Sequence, residues 1–99
     1  MKKDIFDRYA HAVADEFGIP TDALFMKTKE RHITHARHML FYLCHKRMMN
    51  IASIMLYMRN NEYETGHSSI IYGIHKTESR MDEDSDYVSV AKKIQENIK

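Results

Sequence analysis

The stretch Glu64-Thr-Gly-His-Ser-Ser-Ile-Ile-Tyr-Gly-Ile-His-Lys76 predicts the fold of this chain. Positions 70, 73, 74, 77 and 81 hold Ile, Gly, Ile, Thr and Met, which is the spacing of one packed face of an α-helix. The other side carries mostly short hydrogen-bonding groups, namely Ser68, Tyr72, His75 and Ser79, flanked by Ser69 and Lys76. We therefore expect a helix over about 67–80 that buries one face and turns polar groups outward.

A shorter apolar stretch, Ile51–Met58, precedes this helix and is joined to it by a polar connection that contains Gly66. Two helices joined in this way are typical of a helix-turn-helix, whose second helix enters the major groove of DNA. The alternative is that residues 67–80 are simply the half-buried helix of a small helical bundle.

The rest of the chain predicts a single all-α domain over residues 1–99, a compact bundle of about six helices. Residues 3–17 repeat apolar side chains at helical spacing, and Gly18 followed by Pro20 ends that helix. A short helical turn is expected over 22–25, a central helix over about 34–47, and a last helix after the acidic run 82–86. The expected N-caps are Thr21, Thr34, Asn50 and either Asp84 or Ser85. The expected core includes Phe17, Leu40, Leu43, Ile70 and Ile74.

Positive charge is concentrated in the middle of the chain, although the formal net charge is only +1. Residues 27–47 contain a single acid, Glu30, against six cations: Lys27, Lys29, Arg31, Arg37, Lys46 and Arg47. Acids outnumber cations in 1–26 and in 82–99. A basic centre of this kind attracts a phosphate backbone, and the loop 27–33 within it is expected to follow that backbone or enter a minor groove.

Several short runs occur in an order that is shared with a known family. They are Val13-Ala-Asp-Glu-Phe-Gly-Ile19, Asp22-Ala-Leu24, Arg31-His-Ile-Thr-His-Ala-Arg-His-Met39, Ile51-Ala-Ser-Ile54 and His67-Ser-Ser-Ile-Ile-Tyr-Gly-Ile-His-Lys76. Together they resemble the C-terminal DNA-binding domain of the bacterial replication initiator DnaA, a helical fold related to the Trp repressor, over roughly residues 5–98. The last run is similar to that family's His-Thr-Thr-Val signature.

The resemblance implies a role for each matched position. Lys29 falls where the family carries an Arg that enters the minor groove, and Arg31 falls on a neighbouring basic position. Arg37 and His38 fall on the Arg-Gln pair near the head of the central helix, which lies against DNA. The signature residues fall on those that contact bases and phosphates in the major groove. The predicted DNA-binding residues are therefore Lys27, Lys29, Arg31, Arg37, His38, His67, Ser68, Ser69, Tyr72 and Lys76.

Departures from the family pattern affect the expected specificity. The family's Arg-Asp before the signature His is Thr65-Gly66 here, so a base-reading Asp is missing. The connection from Met58 to His67 is longer than the family's turn, and the Pro of the family's Arg-Pro-Arg-Gln is Ala36. No Gly-x-x-x-x-Gly-Lys-Ser/Thr motif occurs in the sequence, so the family's ATPase domain is not expected. Replication control and transcription regulation both fit a sequence-preferring DNA binder of this kind.

Metal binding and catalysis compete weakly for the same residues. His32, His35 and His38 are spaced at three and His45 neighbours Cys44, but no cysteine pair is present and nearby cations disfavour a dication. Ser68 and Ser69 beside His67 lack an orienting acid, since neighbours on a helix point in different directions. We therefore expect no enzyme activity, no metal and no cofactor.

The remaining expectations concern partners and location. Cys44 lies in an apolar run, no signal peptide is apparent, and no apolar run is long enough to span a bilayer, all of which indicate a cytoplasmic protein. The expected partner is double-stranded DNA, with no membrane or small-molecule substrate, and the protein is expected to be a monomer or weak homodimer. The alternative function is a protein-interaction or structural module of a mobile element that kept the fold and lost DNA binding. The acidic ends favour that alternative.

Overall fold

The computed structural model describes residues 2–98, which form five α-helices and one 3-10 helix and contain no strand. The α-helices are α1 Lys2–Phe17, α2 Arg31–Lys46, α3 Ile51–Asn60, α4 His67–Glu83 and α5 Ser85–Asn97, and the 3-10 helix is Thr21–Phe25. The all-α prediction is confirmed. The number of α-helices is five rather than about six, because the short piece after Pro20 is a 3-10 helix.

Helix α2 lies at the centre of the core. Its middle turns are buried at Ala36, Met39, Leu40, Phe41, Leu43 and Cys44. α4 packs on one side of it, α1 on another, and the 3-10 helix, α3 and α5 complete the cover. This arrangement explains why the middle of α2 is apolar all round. Burial also raises the pKa of the Cys44 thiol, so the sulfur is an inert part of the core.

The outer helices bury one stripe each. α1 buries Phe6, Tyr9, Ala10, Val13 and Ala14, and it ends where Gly18 takes a left-handed φ of 67°. α5 buries Ala91 and Ile94 on its inner side. Leu40, Leu43, Ile70 and Ile74 are buried as predicted, whereas Phe17 is only half-buried at the end of α1.

Two of the predicted caps are confirmed. The Asn50 side chain accepts a hydrogen bond from the backbone N–H of Ser53 at 2.8 Å, and Asp84 Oδ1 accepts from the N–H of Asp86 at 2.9 Å. The prediction for Thr21 is wrong, because Pro20 precedes the 3-10 helix and the Thr21 hydroxyl lies 3.0 Å from His11 Nδ1 instead.

Helix α2 begins one turn earlier than the sequence predicted. Thr34 does not cap it, because its backbone N–H already donates to the Glu30 carbonyl at 3.0 Å inside the first turn. The Thr28 hydroxyl accepts from the N–H of Glu30 at 3.2 Å and tightens the loop ahead of the helix. The basic loop predicted over 27–33 is therefore confined to 26–30.

Helix α4 is longer than predicted, since it continues past Arg80 to Glu83. Its inner face consists of Ile70, Gly73, Ile74 and Thr77, which confirms the stripe expected from the sequence. The buried Thr77 hydroxyl donates to the Gly73 carbonyl at 3.0 Å, so its polar atom is satisfied within the helix.

Arg47, which follows α2, links Ile98 to α1. Its Nη1 donates to the Ile98 carbonyl at 3.0 Å and to the Tyr9 hydroxyl at 3.3 Å. Arg47 is thus a structural residue, although the sequence counts it in the basic centre.

Among residues 2–98, no helix combines the length and apolar character needed to cross a bilayer.

Candidate nucleic-acid interface

The first turn of α4 presents small polar side chains to solvent. His67, Ser68 and Ser69 are exposed, and within residues 2–98 their side chains make no hydrogen bond. Gly66 occupies the N-cap position and offers no side-chain cap. The first N–H groups of a helix have no intrahelical partner and carry the positive end of its dipole. This turn therefore offers both hydroxyl groups and backbone donors to an acceptor.

Tyr72 and Lys76 extend this face along α4. The Tyr72 side chain is 57% exposed, and the Lys76 ammonium lies 5.8 Å from the centre of its ring. Both residues are exposed, as the sequence predicted for the outer side of the helix.

The basic loop 26–30 lies beside the start of α4. Lys27 and Lys29 are exposed on it, and Arg31 is exposed in the first turn of α2 rather than in the loop. None of these three residues pairs with an acid within residues 2–98. Three exposed cations are therefore available on this side of the molecule.

Arg37 differs from these three because it is buried, with only 5% of its surface exposed. Its Nε donates to the Leu24 carbonyl at 2.8 Å and its Nη2 to the Met26 carbonyl at 2.7 Å. The guanidinium also lies 4.5 Å from the centre of the Tyr63 ring. The predicted DNA-binding residue Arg37 thus lies inside the protein, where it joins the basic loop to the turn between α3 and α4.

His38 is also buried, at 9% exposure. Arg80 Nη1 lies 3.2 Å from its Nδ1, and the Tyr72 ring stands edge-on to the imidazole with centres 5.9 Å apart. Burial, followed by the positive charge of Arg80, lowers the pKa of His38 to about 4. The imidazole is therefore neutral at physiological pH, and only part of its edge is open.

A groove of about 510 Å³ separates the basic loop from α4. Its lining includes Thr28, Lys29, Thr34, Arg37, His38, Tyr63, Thr65, Ser68, Ser69 and Tyr72. None of the residues that line the groove carries a carboxylate, while several carry N–H or O–H donors. The groove is therefore suited to an anionic oxygen rather than to a cation.

Gly73 sets how closely α4 approaches α2. A Cβ at this position would lie 2.8 Å from His38 Cδ2 and 3.0 Å from Phe41 Cδ2. Only the absence of a side chain permits this approach. The contact fixes the distance between α4 and the buried imidazole.

The turn between α3 and α4 is polar and partly acidic. Glu62 adopts a left-handed φ of 64°, and the exposed Glu64 lies 3.4 Å from Arg59. Tyr63 is drawn inward between these two acids, and its N–H donates to the Met58 carbonyl at 3.0 Å. Sequence reasoning missed Tyr63, although an aromatic residue inside an otherwise polar turn was the available signal.

The histidines do not converge on a metal site. His32 hydrogen-bonds to the Phe17 carbonyl through Nε2, and His38 contacts Arg80. Across residues 2–98, no three His, Cys, Asp or Glu side chains are grouped so that they could hold a metal ion.

Comparison with known protein families gives one match of direct relevance. A family model described as bacterial dnaA protein helix-turn-helix matches residues 7–77, which is more than half of the chain. The match covers most of α1, all of α2 and α3, and α4 as far as Thr77, and so includes the exposed turn and the groove. No solved structure matches the chain.

Proposed function

The chain belongs to the bacterial DnaA helix-turn-helix family, and from that premise we propose that α4 enters the major groove of double-stranded DNA. The loop 26–30 and Arg31 then contact the adjoining backbone or minor groove. The observation that carries the proposal is the uncapped, exposed first turn of α4 beside a carboxylate-free groove that Lys29 lines.

The two parts of this interface have different roles. Lys27, Lys29 and Arg31 contribute attraction that does not depend on base sequence, because each can neutralise a phosphate and release counterions. The start of α4 contributes the sequence preference, because hydroxyl and imidazole groups there can meet base edges and the adjoining backbone. Tyr72 and Lys76 extend the same face toward the next phosphates.

Arg37 and His38 support this interface from beneath. Arg37 holds the carbonyls of Leu24 and Met26, so it fixes where the loop cations stand relative to α4. His38 borders the groove with its neutral ring. We propose that both residues act near DNA, Arg37 by positioning the loop and His38 at the floor of the groove.

The preferred sequence is proposed to differ from that of relatives that keep the acid before the signature His. Gly66 offers no carboxylate to accept from a cytosine amino group, and the serine side chains are short. Discrimination at this turn is then expected at the low end of the usual 1–3 kcal/mol for a good base contact, about 1 kcal/mol. A monomer that occupies a site in replication control or transcription regulation fits this level of selectivity.

Binding to labelled duplexes, measured by fluorescence anisotropy at two salt concentrations, tests the proposal. We expect binding to random duplex that weakens as salt rises, and selection of bound sequences should enrich a preferred site. The Ser68→Ala variant should reduce the affinity for the preferred duplex, and so the ratio of the two affinities, while leaving the affinity for random duplex almost unchanged.

A protein-interaction module is the second candidate, and the acidic surface at the α4–α5 junction favours it. Asp82, Glu83, Asp84 and Asp86 follow one another closely there. Asp84 and Asp86 line a pocket with His32 and His35 at the start of α2. If the intact protein binds no duplex at either salt concentration, a protein-interaction module becomes the proposed function in place of DNA binding.

A further inference from the structure

Arg80 lies near the end of α4, beyond the residues that match the family, and contacts His38 on α2. Its Nη1 is 3.2 Å from His38 Nδ1. A guanidinium can only donate hydrogen bonds, so Nδ1 must be the acceptor in this contact. A neutral imidazole whose Nδ1 accepts carries its hydrogen on Nε2. The contact therefore selects one tautomer and one orientation of the ring.

The surroundings of His38 keep the ring neutral. The charged groups that face it are all basic: Arg80 and Lys76 on α4, and Arg37 and the titratable His35 on α2. Burial contributes most to the low pKa of about 4, and these groups lower it further. Protonation of Nδ1 would also place two donors against each other. His38 is thus held as a neutral donor.

The His38 side chain borders the groove between the basic loop and α4, and one of its ring nitrogens is unpaired. His38 lines that groove together with Thr34 and Ser69. The Cδ2 edge of the ring packs against Gly73, and Arg80 occupies Nδ1. Nε2 has no hydrogen-bond partner among residues 2–98 and is not one of the fully buried, unpaired atoms. Nε2–H is therefore an unpaired donor that is not fully buried, on a residue that lines the groove.

We propose that Arg80 is a positioning residue for DNA binding, which holds His38 as an Nε2–H donor turned into the groove to meet a backbone phosphate oxygen. This inference rests on the proposed function of the same site. Because the donor is neutral, its hydrogen bond to phosphate does not change over the physiological pH range. Arg80 itself lies behind the ring and makes no contact with DNA.

The first test uses the free protein and needs no DNA. Nitrogen chemical shifts of the His38 ring, followed by NMR against pH, report the tautomer and the pKa directly. Wild type should show the Nε2–H tautomer and titrate near pH 4, whereas Arg80→Met should raise the pKa and mix the tautomers. Lys92→Met, which removes the same charge from the exposed side of α5, should change neither. A wild-type ring with hydrogen on Nδ1, or one indifferent to Arg80→Met, overturns the inference.

The second test measures binding to a random duplex at one salt concentration in two backgrounds. Arg80→Met should weaken binding of the His38 protein about fivefold, the effect of one lost hydrogen bond. In the His38→Gln protein the glutamine amide donates a hydrogen bond in its only protonation form, so Arg80 has no tautomer to select. Arg80→Met should therefore reduce duplex affinity much less in the His38→Gln protein than in the His38 protein. Equal losses in the two backgrounds would show that Arg80 acts through charge or stability alone.

The two tests separate this inference from the proposed function. If the ring behaves as expected but the intact protein binds no duplex, the proposed function fails and the phosphate role of His38 fails with it. If wild type binds duplex and Arg80→Met leaves the ring unchanged, only the positioning role of Arg80 fails.

Discussion

Two sets of residues that the sequence predicts to bind DNA, one in the middle of α2 and one at the start of α4, differ in burial. Arg37 and His38 are buried and partnered inside the protein, whereas His67, Ser68 and Ser69 are exposed and make no side-chain hydrogen bond within residues 2–98. A residue of a type expected at a nucleic-acid interface can therefore either contact the nucleic acid directly or hold neighbouring protein groups in position. Burial, rather than residue type, separates the two.

The same difference divides the positive charge of the basic centre. Arg37 donates hydrogen bonds to the backbone carbonyls of Leu24 and Met26, and Arg47 donates to that of Ile98. Lys27, Lys29 and Arg31 remain exposed. The field that attracts DNA therefore depends on fewer cations than the sequence contains, and their position depends on the buried ones.

The largest expected effect compares the two faces of α4. Ile74→Ala removes a side chain that is 5% exposed and should destabilise the protein by about 2–5 kcal/mol. Ser68→Ala, on the exposed face, should change stability by less than about 0.5 kcal/mol. Chemical denaturation followed by circular dichroism measures both. Similar small losses from the two variants would show that the faces of α4 are misassigned.

The next effect compares a buried cation with an exposed one. Arg37→Met removes two hydrogen bonds from a charged donor and leaves the Leu24 and Met26 carbonyls unpaired, so we expect a loss of about 3 kcal/mol. The matched Lys29→Met should cost almost nothing in stability, because the Lys29 ammonium is exposed and has no acidic partner within residues 2–98. Thermal melts should give a shift of about 4–8 °C for each kcal/mol in a domain of this size. A melting temperature of Arg37→Met equal to that of wild type would contradict the structural role of Arg37.

The third effect concerns the pH dependence of stability. The pKa of His38 is about 4 in the folded protein and has its ordinary value of 6.5 when unfolded, so the unfolded chain binds more protons between these values. The stabilisation is complete above pH 6.5 and is lost as pH falls toward 4, by up to about 3 kcal/mol. His38→Gln should lose less stability over this range, since the carboxylates titrate alike in both proteins. Parallel pH profiles for the two would show that His38 is not held neutral.

Local patterns were enough to predict most of the fold. The stripe of Ile70, Gly73, Ile74 and Thr77, the stop at Gly18 and the cap at Asn50 all depend on residues close in sequence. The start of α2 was misplaced because Thr34 has the chemistry of a cap, while the Thr28 hydroxyl closes the loop a turn earlier.

The inward contacts could not be predicted in this way. Arg37 reaches carbonyls 11 and 13 residues away, and Arg80 reaches His38 across 42 residues. A cation in a basic segment gives no sign of whether a carbonyl or a phosphate will accept its hydrogen bonds. That choice depends on how α2, the loop and α4 pack together. The sequence therefore named Arg37 and His38 as well as the exposed residues, but it gave no sign that these two are buried and partnered inside the protein.

The salt dependence of duplex binding tests the central claim most directly. The logarithm of the binding constant should fall linearly with the logarithm of salt concentration, and Lys29→Ala should make the slope shallower by about 0.9. Lys92→Ala, with the same change in net charge on α5, should leave the slope unchanged. We predict that wild-type duplex binding weakens as salt rises, and that the slope is shallower for Lys29→Ala but not for Lys92→Ala. A wild type that binds no duplex, or identical slopes for Lys29→Ala and wild type, would contradict the account.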